Sequence, residues 1–183
     1  GSLKALPNIN IFSPSSKESL WSSFKQAKAS KQASFIRISK GGLQEEIEVK
    51  KSNYFLRENK KSSIVIISHG KMVSNALEAY KLCPHFSIFA MDQIKPLDTK
   101  ILFSLFKDYK YLIILEDNFN SGLFNSICQF YVEQNIQFRK IFSISPKEKY
   151  EKIVGDSDYL ENKNKISPKH IKNKINEILN DRD

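Results

Sequence analysis

One stretch, from Ser63 to Tyr80, constrains the fold more than any other part of the sequence. It opens with Ile64-Val65-Ile66-Ile67, an apolar β-branched run typical of a strand that is buried on both faces. Gly70 follows closely, and apolar residues then fall at helical spacing: Val73, Ala76, Leu77 and Tyr80. A buried strand, a glycine turn and a helix in direct succession predict the first βα unit of a doubly wound α/β domain.

Three further strands with helices between them follow this unit. Apolar patterns predict strands at residues 86–91, 111–115 and 138–144, and helices at 98–109, 122–133 and from 167 onward. Asp98 is a suitable N-cap for the first of these helices, and Ser167-Pro168 is typical of the start of the last one. Four parallel strands alternating with helices predict a three-layer αβα domain with an open, mostly parallel sheet over residues 62–183.

The N-terminal part of the chain shows a separate pattern of strand, helix and strand. Residues 9–12 and 34–38 are apolar runs, and Ser15 and Glu18 have capping-box spacing at the start of a helix that extends to about residue 29. Apolar residues form a stripe along this helix: Leu20, Trp21, Phe24 and Ala27. A β-α-β unit of this size is too small to fold alone. It must therefore either pack on the second half of the chain or be the end of a larger domain, and of these we expect residues 1–40 to be the end of a larger domain.

Residues 41–61 differ in composition from both neighbours, because they are charged and irregular. They contain Gly41-Gly42 and then mixed runs of glutamate and lysine. This pattern predicts an interdomain linker, with room for one short edge strand near Ile47 to Val49.

Composition narrows the class of protein. The chain has 183 residues, 40% of them hydrophobic, and a formal net charge of +9. The lysines are scattered without a Lys/Arg run of five, which favours a solvated basic surface over a nucleic-acid site. No apolar run has the length of a membrane span and no signal-peptide pattern opens the chain, so we expect a cytoplasmic protein. Cys83 and Cys128 lack paired or metal-site spacing and are expected to be reduced thiols.

Two polar positions lie where open α/β sheets build their sites, at the carboxyl ends of parallel strands. His69 follows the first buried strand and has two interpretations, a general base or a hydrogen-bonded turn residue. Glu116-Asp117 follows the strand at 111–115 and predicts either an acid–base pair or a helix cap. Glycine-rich nucleotide motifs, a nucleophile elbow and a metal-spaced Cys/His set are all missing from the sequence. These residues by themselves assign neither a catalytic residue nor a metal ligand.

Five short motifs, taken in order, resemble the transketolase-like thiamin diphosphate enzymes over nearly the whole chain. Leu6-Pro7-Asn8-Ile9 with Ser13-Pro14 is similar to the end of that family's pyrimidine-binding domain, and Phe35-Ile36-Arg37-Ile38-Ser39-Lys40-Gly41 to its "RYPRG"-like strand end. The other three resemble its C-terminal domain: Ser68-His69-Gly70-Lys71-Met72-Val73, Ile94-Lys95-Pro96-Leu97-Asp98, and Leu115-Glu116-Asp117 with Ser121-Gly122.

The resemblance implies the C-terminal region of an enzyme, of transketolase or 1-deoxy-D-xylulose-5-phosphate synthase type, that transfers a ketol or acyl unit between phosphorylated sugars. It implies thiamin diphosphate and Mg²⁺ as cofactors. Their ligands, and the glutamate that activates the cofactor, belong to domains that precede this stretch in the family. We therefore expect the chain to be inactive alone and to keep a dimer contact, through segments 94–97 and 119–124. His69 and Glu116 would lie beside the site.

Departures from the family pattern affect the expected substrate site. Lys40 stands where the family has a phosphate-binding arginine, and a lysine supplies a point charge without a bidentate fork. The resemblance thus implies a phosphate contact from Lys40, assisted by Arg37. Ser121 and Phe124 replace glycines of the last turn. Two alternatives stay open: the C-terminal region of a 2-oxoacid dehydrogenase beta subunit, and a non-catalytic basic α/β interaction module.

Overall fold

The computed structural model describes residues 2–39, 52–137, 139–149, 152 and 154–180. A 3₁₀ turn at Ser2–Ala5 opens the chain. The strands are β1 (Ile9–Phe12), β2 (Ala33–Ile36), β3 (Asn53–Arg57), β4 (Ile64–Ser68), β5 (Ser87–Met91), β6 (Gln93–Lys95), β7 (Tyr111–Leu115) and β8 (Lys140–Ile144). The helices are α1 (Lys17–Ala29), α2 (Met72–Leu82), α3 (Thr99–Asp108), α4 (Leu123–Glu133), α5 (Ser157–Lys163) and α6 (Pro168–Asn180).

The larger sheet has five strands in the order β3-β5-β4-β7-β8. Strands β5, β4, β7 and β8 are parallel, which confirms the predicted set of four, and β3 joins the edge in antiparallel orientation. β4 and β7 are completely buried, because their β-branched and leucine side chains are covered by helices on both faces.

Two helical layers cover this sheet. On one face, α2 and α6 pack through Val73, Ala76, Ile171 and Ile175 against alternate residues of β4 and β7. On the other face, α3 and α4 contribute Leu102, Leu105, Leu123 and Ile127. The three-layer αβα architecture that the sequence predicts is confirmed. The reason is that side chains along a strand point alternately to its two faces, so neighbouring residues of β4 such as Ile66 and Ile67 lie in the cores on opposite sides of the sheet.

A second sheet of three strands, in the order β2-β1-β6, contains the N-terminal unit. β1 and β2 are parallel and connected by α1, as the sequence predicts, and β6 pairs with β1 in antiparallel orientation. Because β6 follows β5 after the single residue Asp92, the two sheets are joined where one strand ends and the next begins. This junction fixes the N-terminal unit beside the carboxyl ends of β4 and β7.

Several local predictions need correction. Helix α1 is capped by Ser16 and Ser19, not by Ser15 and Glu18, because Ser16 is the extended residue whose side chain accepts from the Ser19 N–H. Strand β3 lies inside the stretch 41–61 that its charged composition predicts as a linker. β6 and α5 were not predicted at all. The predicted edge strand near Ile47 to Val49 lies outside the described residues.

The structure also describes the two cysteines, the start of α3 and the lengths of the helices. Cys83 and Cys128 are both free. The N-cap role of Asp98 is confirmed, because its side chain accepts from the Ile101 N–H. Within the described ranges, no helix is both long enough and apolar enough to cross a membrane.

Candidate functional site

The site is built where β4 and β7 end side by side. Their parallel register places Ser68 opposite Leu115, and the Ser68 hydroxyl donates to the Leu115 carbonyl at 2.8 Å. The residues that follow Ser68 and Leu115 are therefore neighbours as well, and His69 Nε2 lies 3.9 Å from Glu116 Oε2. The structure thus brings together two residues that the sequence places forty-seven positions apart.

Glu116 is a helix cap. Its Oε2 accepts from the Leu123 N–H at 2.9 Å and its Oε1 from the Phe124 N–H at 3.0 Å, at the start of α4. The carboxylate is fully buried and satisfies two amide groups that have no partner within the helix. Gly122 is required for this approach, since a Cβ there would lie 1.9 Å from Glu116 Oε2. Of the two interpretations, an acid–base pair or a helix cap, the hydrogen bonds of Glu116 correspond to the helix cap.

His69 lies in a turn that receives the N-terminal unit. Its side chain is 3% exposed, and Nδ1 lies 3.0 Å from the Ser13 hydroxyl. The adjacent Gly70 has φ +55° and donates its N–H to the Ser13 carbonyl at 2.9 Å. A Cβ at this glycine would lie 2.8 Å from Ser13 Oγ. His69 is therefore a buried hydrogen-bonded turn residue that touches the loop before α1.

Arg37 and Asp117 form a bidentate ion pair between the two sheets. The guanidinium nitrogens donate to the two carboxylate oxygens at 2.7 and 2.6 Å. Hydrogen bonding to Asp117 raises the pKa of Arg37. Burial alone would raise the pKa of Asp117, but the hydrogen bonds and charge of Arg37 outweigh it and hold that pKa below its ordinary value. The pair fixes the end of β2 over the end of β7.

A cleft of about 260 Å³ lies beside this pair. Arg37, His69, Ser13 and Asn118 line it together with Lys4, which the sequence did not single out. The Lys4 ammonium donates to the Gly122 carbonyl at 2.6 Å, and burial lowers its pKa against the opposing charge of Glu116. Nothing in the sequence separates Lys4 from the other basic residues, because its position depends on the sheets being joined. Arg37 and Lys4 place two positive charges at the cleft, and each has an acidic neighbour, Asp117 for Arg37 and Glu116 for Lys4.

Asp92 lies at the junction of the two sheets and was also missed. Its Oδ2 accepts from the Ser15 N–H at 3.1 Å and the Ser15 hydroxyl at 2.9 Å, and that hydroxyl also lies 2.8 Å from Tyr54 Oη. Oδ1 is buried without a partner among the described residues. Burial raises the pKa of Asp92 to about 7 despite these hydrogen bonds. A lone aspartate between two strands carries no sequence signal of such an environment.

The residues predicted for the phosphate contact and for the dimer contact have different outcomes. Lys40 lies outside the described residues, so only Arg37 of the expected phosphate pair has a described position. In the expected dimer segments, Ile94 and Leu123 are buried in the chain's own core and Phe124 packs against it, whereas Phe119 is 39% exposed. Most of the apolar surface of these segments is therefore already used inside the chain.

The described residues do not fit a magnesium site. They contain no group of three or more His, Cys, Asp or Glu side chains placed to hold a metal ion. The acidic groups near the cleft are already engaged, Glu116 with the start of α4 and Asp117 with Arg37.

Comparison with known proteins gives a family and a fold. The family model described as "Transketolase, C-terminal domain" matches residues 53–148. A split gene transketolase, solved as an inactive beta4 tetramer, is similar with a TM-score of 0.79 and 18% identity over 94% of this chain and 57% of that chain. A transketolase variant from Pichia stipitis has a TM-score of 0.72 and 14% identity, over 94% of this chain and 25% of that chain.

A second Pichia stipitis transketolase variant, in complex with fructose-6-phosphate, has a TM-score of 0.70 and 13% identity. The match covers 96% of this chain and 26% of that chain. This chain thus spans little more than half of the split gene protein and about a quarter of the Pichia enzymes. No curated protein sequence matches the chain.

Proposed function

The chain belongs to the transketolase C-terminal domain family, and on that premise we propose that it works as the C-terminal region of a transketolase-like enzyme. This enzyme transfers a ketol or acyl unit between phosphorylated sugars with thiamin diphosphate. The chain supplies the cleft at the joined sheet ends and the surfaces that hold the rest of the enzyme. It is not catalytically complete by itself.

One observation carries the proposal. The similarity to the split gene transketolase extends over 94% of this chain, and so includes both the five-stranded sheet and the N-terminal unit in one superposition. The family model begins only at residue 53. The fold match therefore adds β1, α1 and β2 to what the family model covers, and with them the sheet that these strands form with β6. That arrangement is what forms the cleft.

The chain's own residues act on the substrate phosphate in this proposal. Arg37 uses two nitrogens for Asp117, and a guanidinium carries five N–H donors, so it keeps donors for a phosphate oxygen. Asp117 orients the fork and Lys40 adds a point charge. Glu116 is a positioning residue, because it holds the start of α4 at the cleft wall.

Thiamin diphosphate, when bound to the complete enzyme, supplies the carbanion that carries the ketol or acyl unit. Since the described residues lack a group of metal ligands, we assign the ligands of Mg²⁺, and with them those of the cofactor, to other parts of the enzyme. We expect isothermal titration of this chain with the cofactor and Mg²⁺ to show no binding at micromolar concentration. Micromolar affinity would contradict this division of roles.

The decisive experiment reconstitutes the enzyme. The full reading frame that contains this chain, or the chain with the product of its neighbouring frame, is assayed for ketol transfer from a phosphorylated ketose to an aldose. We expect transfer only when the cofactor-binding parts are present. If the acyl group is instead passed to a carrier protein, the 2-oxoacid dehydrogenase alternative replaces the proposal. Inactivity of a correctly assembled complex toward both would overturn it.

The phosphate role is tested in the assembled enzyme with Lys40→Ala and Arg37→Ala. A charge-assisted hydrogen bond contributes roughly 1.5 to 3 kcal/mol, so KM for the phosphorylated substrate should rise about tenfold or more in each variant. KM for a non-phosphorylated analogue should stay unchanged. Lys107→Ala, on the exposed side of α3, is the matched control. A change of only about twofold would assign Lys40 to the solvated surface.

We also propose a homodimer contact through segments 94–97 and 119–124, weaker than in the complete enzyme. Phe119 is the exposed aromatic residue of these segments and the best candidate for the contact. Sedimentation equilibrium at tens of micromolar tests it, with Phe119→Ser as the variant expected to shift the equilibrium toward monomer. A strict monomer would place the dimer contacts elsewhere in the enzyme.

A further inference from the structure

Helix α5 is attached to the rest of the chain without an apolar stripe of its own. Glu161, at 8% exposure, is its one buried residue. Its apolar side chains, Tyr159 and Leu160, are exposed or half-buried and belong to neither of the two cores that the described residues form. The helices α2, α3, α4 and α6 each bury several apolar side chains in these cores. α5 lacks this source of stability.

The carboxylate of Glu161 instead accepts hydrogen bonds from α2 and from α5 itself. Lys71 Nζ donates to Oε1 at 2.6 Å, and Asn75 Nδ2 donates to Oε2 at 2.7 Å. The Ser157 hydroxyl also donates to Oε1, at 2.9 Å. Burial alone would raise the pKa of Glu161, but these hydrogen bonds outweigh it and hold that pKa below its ordinary value. We call the four residues the Glu161 cluster, and it joins α5 to α2.

The Glu161 cluster lies at the first turn of α2, beside the cleft. Lys71 is the N-cap of α2 and directly follows Gly70, while His69 of the same turn lines the cleft. Asn75, at 6% exposure, lies one turn further along the helix. It also donates to the Ile166 carbonyl, in the connection to α6, at 3.2 Å. α5 therefore covers the start of α2 at the carboxyl edge of the sheet.

The C-terminal end of α5 carries backbone strain. The Ile166 N–H donates to the Glu161 carbonyl at 2.9 Å and the Lys165 N–H to the Asn162 carbonyl at 3.1 Å, which are the two hydrogen bonds of a Schellman motif. Its left-handed residue is Lys165, with φ +59°. Glycine is the usual residue at this position, because a side chain in the left-handed conformation costs free energy. This cost disappears when α5 unwinds.

We propose that α5 is a cover that opens from the first turn of α2 while the rest of the fold stays intact. The Glu161 cluster holds the closed state, and α6 remains anchored by Ile171, Ile175 and Ile178 when α5 opens. Opening exposes little apolar surface and returns conformational freedom to seven residues. It therefore requires far less free energy than unfolding of the whole chain. In the open state the Lys71 ammonium is released beside the cleft.

Hydrogen exchange of the full chain, followed by mass spectrometry, measures this opening directly. We expect the amides of α5 to exchange at least about tenfold faster than those of α6. Their exchange should also depend more weakly on urea, because local opening exposes less surface than global unfolding. Equal rates and equal urea dependence for the two helices would show that α5 opens only when the whole chain unfolds, and would overturn the proposal.

Two variants should move the equilibrium between the closed and open states in opposite directions. Glu161→Gln keeps the side-chain size and removes the charge that Lys71 binds, so exchange in α5 should become about tenfold faster. Lys165→Gly removes the strain of the left-handed residue, so exchange in α5 should become roughly threefold slower. Exchange in α6 should stay unchanged in both variants.

Glu177→Gln is the matched control, because it removes the same charge at an exposed ion pair with Lys174 on α6. It should leave exchange in α5 unchanged. The proposal also fails if Glu161→Gln leaves exchange in α5 unchanged, or speeds exchange in α6 as much as in α5. None of these measurements involves catalysis, so the cover and the proposed function can fail separately.

Discussion

The two sheets of this protein are stabilised in different ways. The five-stranded sheet is enclosed by helices on both faces and buries β-branched and leucine side chains. The N-terminal unit buries serines against the rest of the chain, exposes aromatic rings, and is attached both by Ile11, which joins the core of the larger sheet, and by polar contacts around Asp92, Ser13 and Arg37. The five-stranded sheet is stabilised by its own core. The N-terminal unit depends on its junction with that sheet, and part of its apolar surface faces solvent.

The largest expected effect lies in the core of the five-stranded sheet. Ile113 is fully buried in β7, so Ile113→Ala should lower the free energy of unfolding by roughly 2 to 5 kcal/mol through lost burial and a residual cavity. Urea denaturation followed by circular dichroism measures it. A loss below about 1 kcal/mol would contradict the view that this core determines global stability.

The next effect is a pH dependence at the junction. The pKa of Asp92 is raised to about 7 in the folded chain, so the folded state holds the proton more tightly than the unfolded state. Stability from this group is complete below the unfolded pKa and is lost as the pH rises toward 7, by at most about 1.4 kcal/mol per pH unit. Tyr54 and His69 also face this carboxyl.

Asp92→Asn tests this dependence because it keeps the side-chain size and an acceptor for Ser15. We expect the difference in unfolding free energy between the variant and the native chain to shift in favour of the variant between pH 4 and 7. Thermal denaturation across that range measures it. Parallel curves for the two proteins would show that Asp92 does not titrate in this window.

A smaller effect is expected at the ion pair between the sheets. Arg37→Gln removes the bidentate contact with Asp117, and because the arginine is partly exposed we expect a loss of only about 1 kcal/mol. The lowered pKa of Asp117 means that this stability is present above the unfolded pKa and lost as the pH falls through the folded one. The variant should therefore equal the native chain in acid, as urea titrations at several pH values would show.

The smallest effect separates the two regions most clearly. Trp21→Ser should change the unfolding free energy by no more than about 0.5 kcal/mol, because the ring is mainly in water. Destabilisation comparable to Ile113→Ala would mean that Trp21 packs into the chain's own core.

Much of the fold could be predicted because its signals are local. The run Tyr111–Leu115 is a strand exactly where the apolar pattern places it, and Asp98 caps α3 as its spacing indicates. Strand β3 could not be found in this way, since its five residues lie in a charged stretch and acquire their strand partner only from β5. The sequence shows the apolar stripe of α1, but it does not show that Trp21 and Phe24 of this stripe face solvent.

The candidate site divides in the same manner. His69 and Glu116 could be selected because the residues after buried parallel strands gather at one sheet edge. Their roles could not be predicted, because the hydrogen bonds from the Leu123 and Phe124 amides that make Glu116 a helix cap depend on where α4 begins. Lys4 and Asp92 carry no pattern at all, because the Lys4 ammonium contacts Gly122, 118 positions away, and Asp92 contacts Ser15, 77 positions away.

By itself the sequence determined the alternation of strands and helices, the parallel sheet and the family, because apolar periodicity and short ordered motifs are local properties of the chain. Only the tertiary structure decided which polar groups meet: the Arg37 fork with Asp117, the buried Asp92 with Ser15, and the outward direction of Trp21. The physical reason is that burial, and with it pKa and hydrogen-bond demand, is set by what packs across the junction of the two sheets.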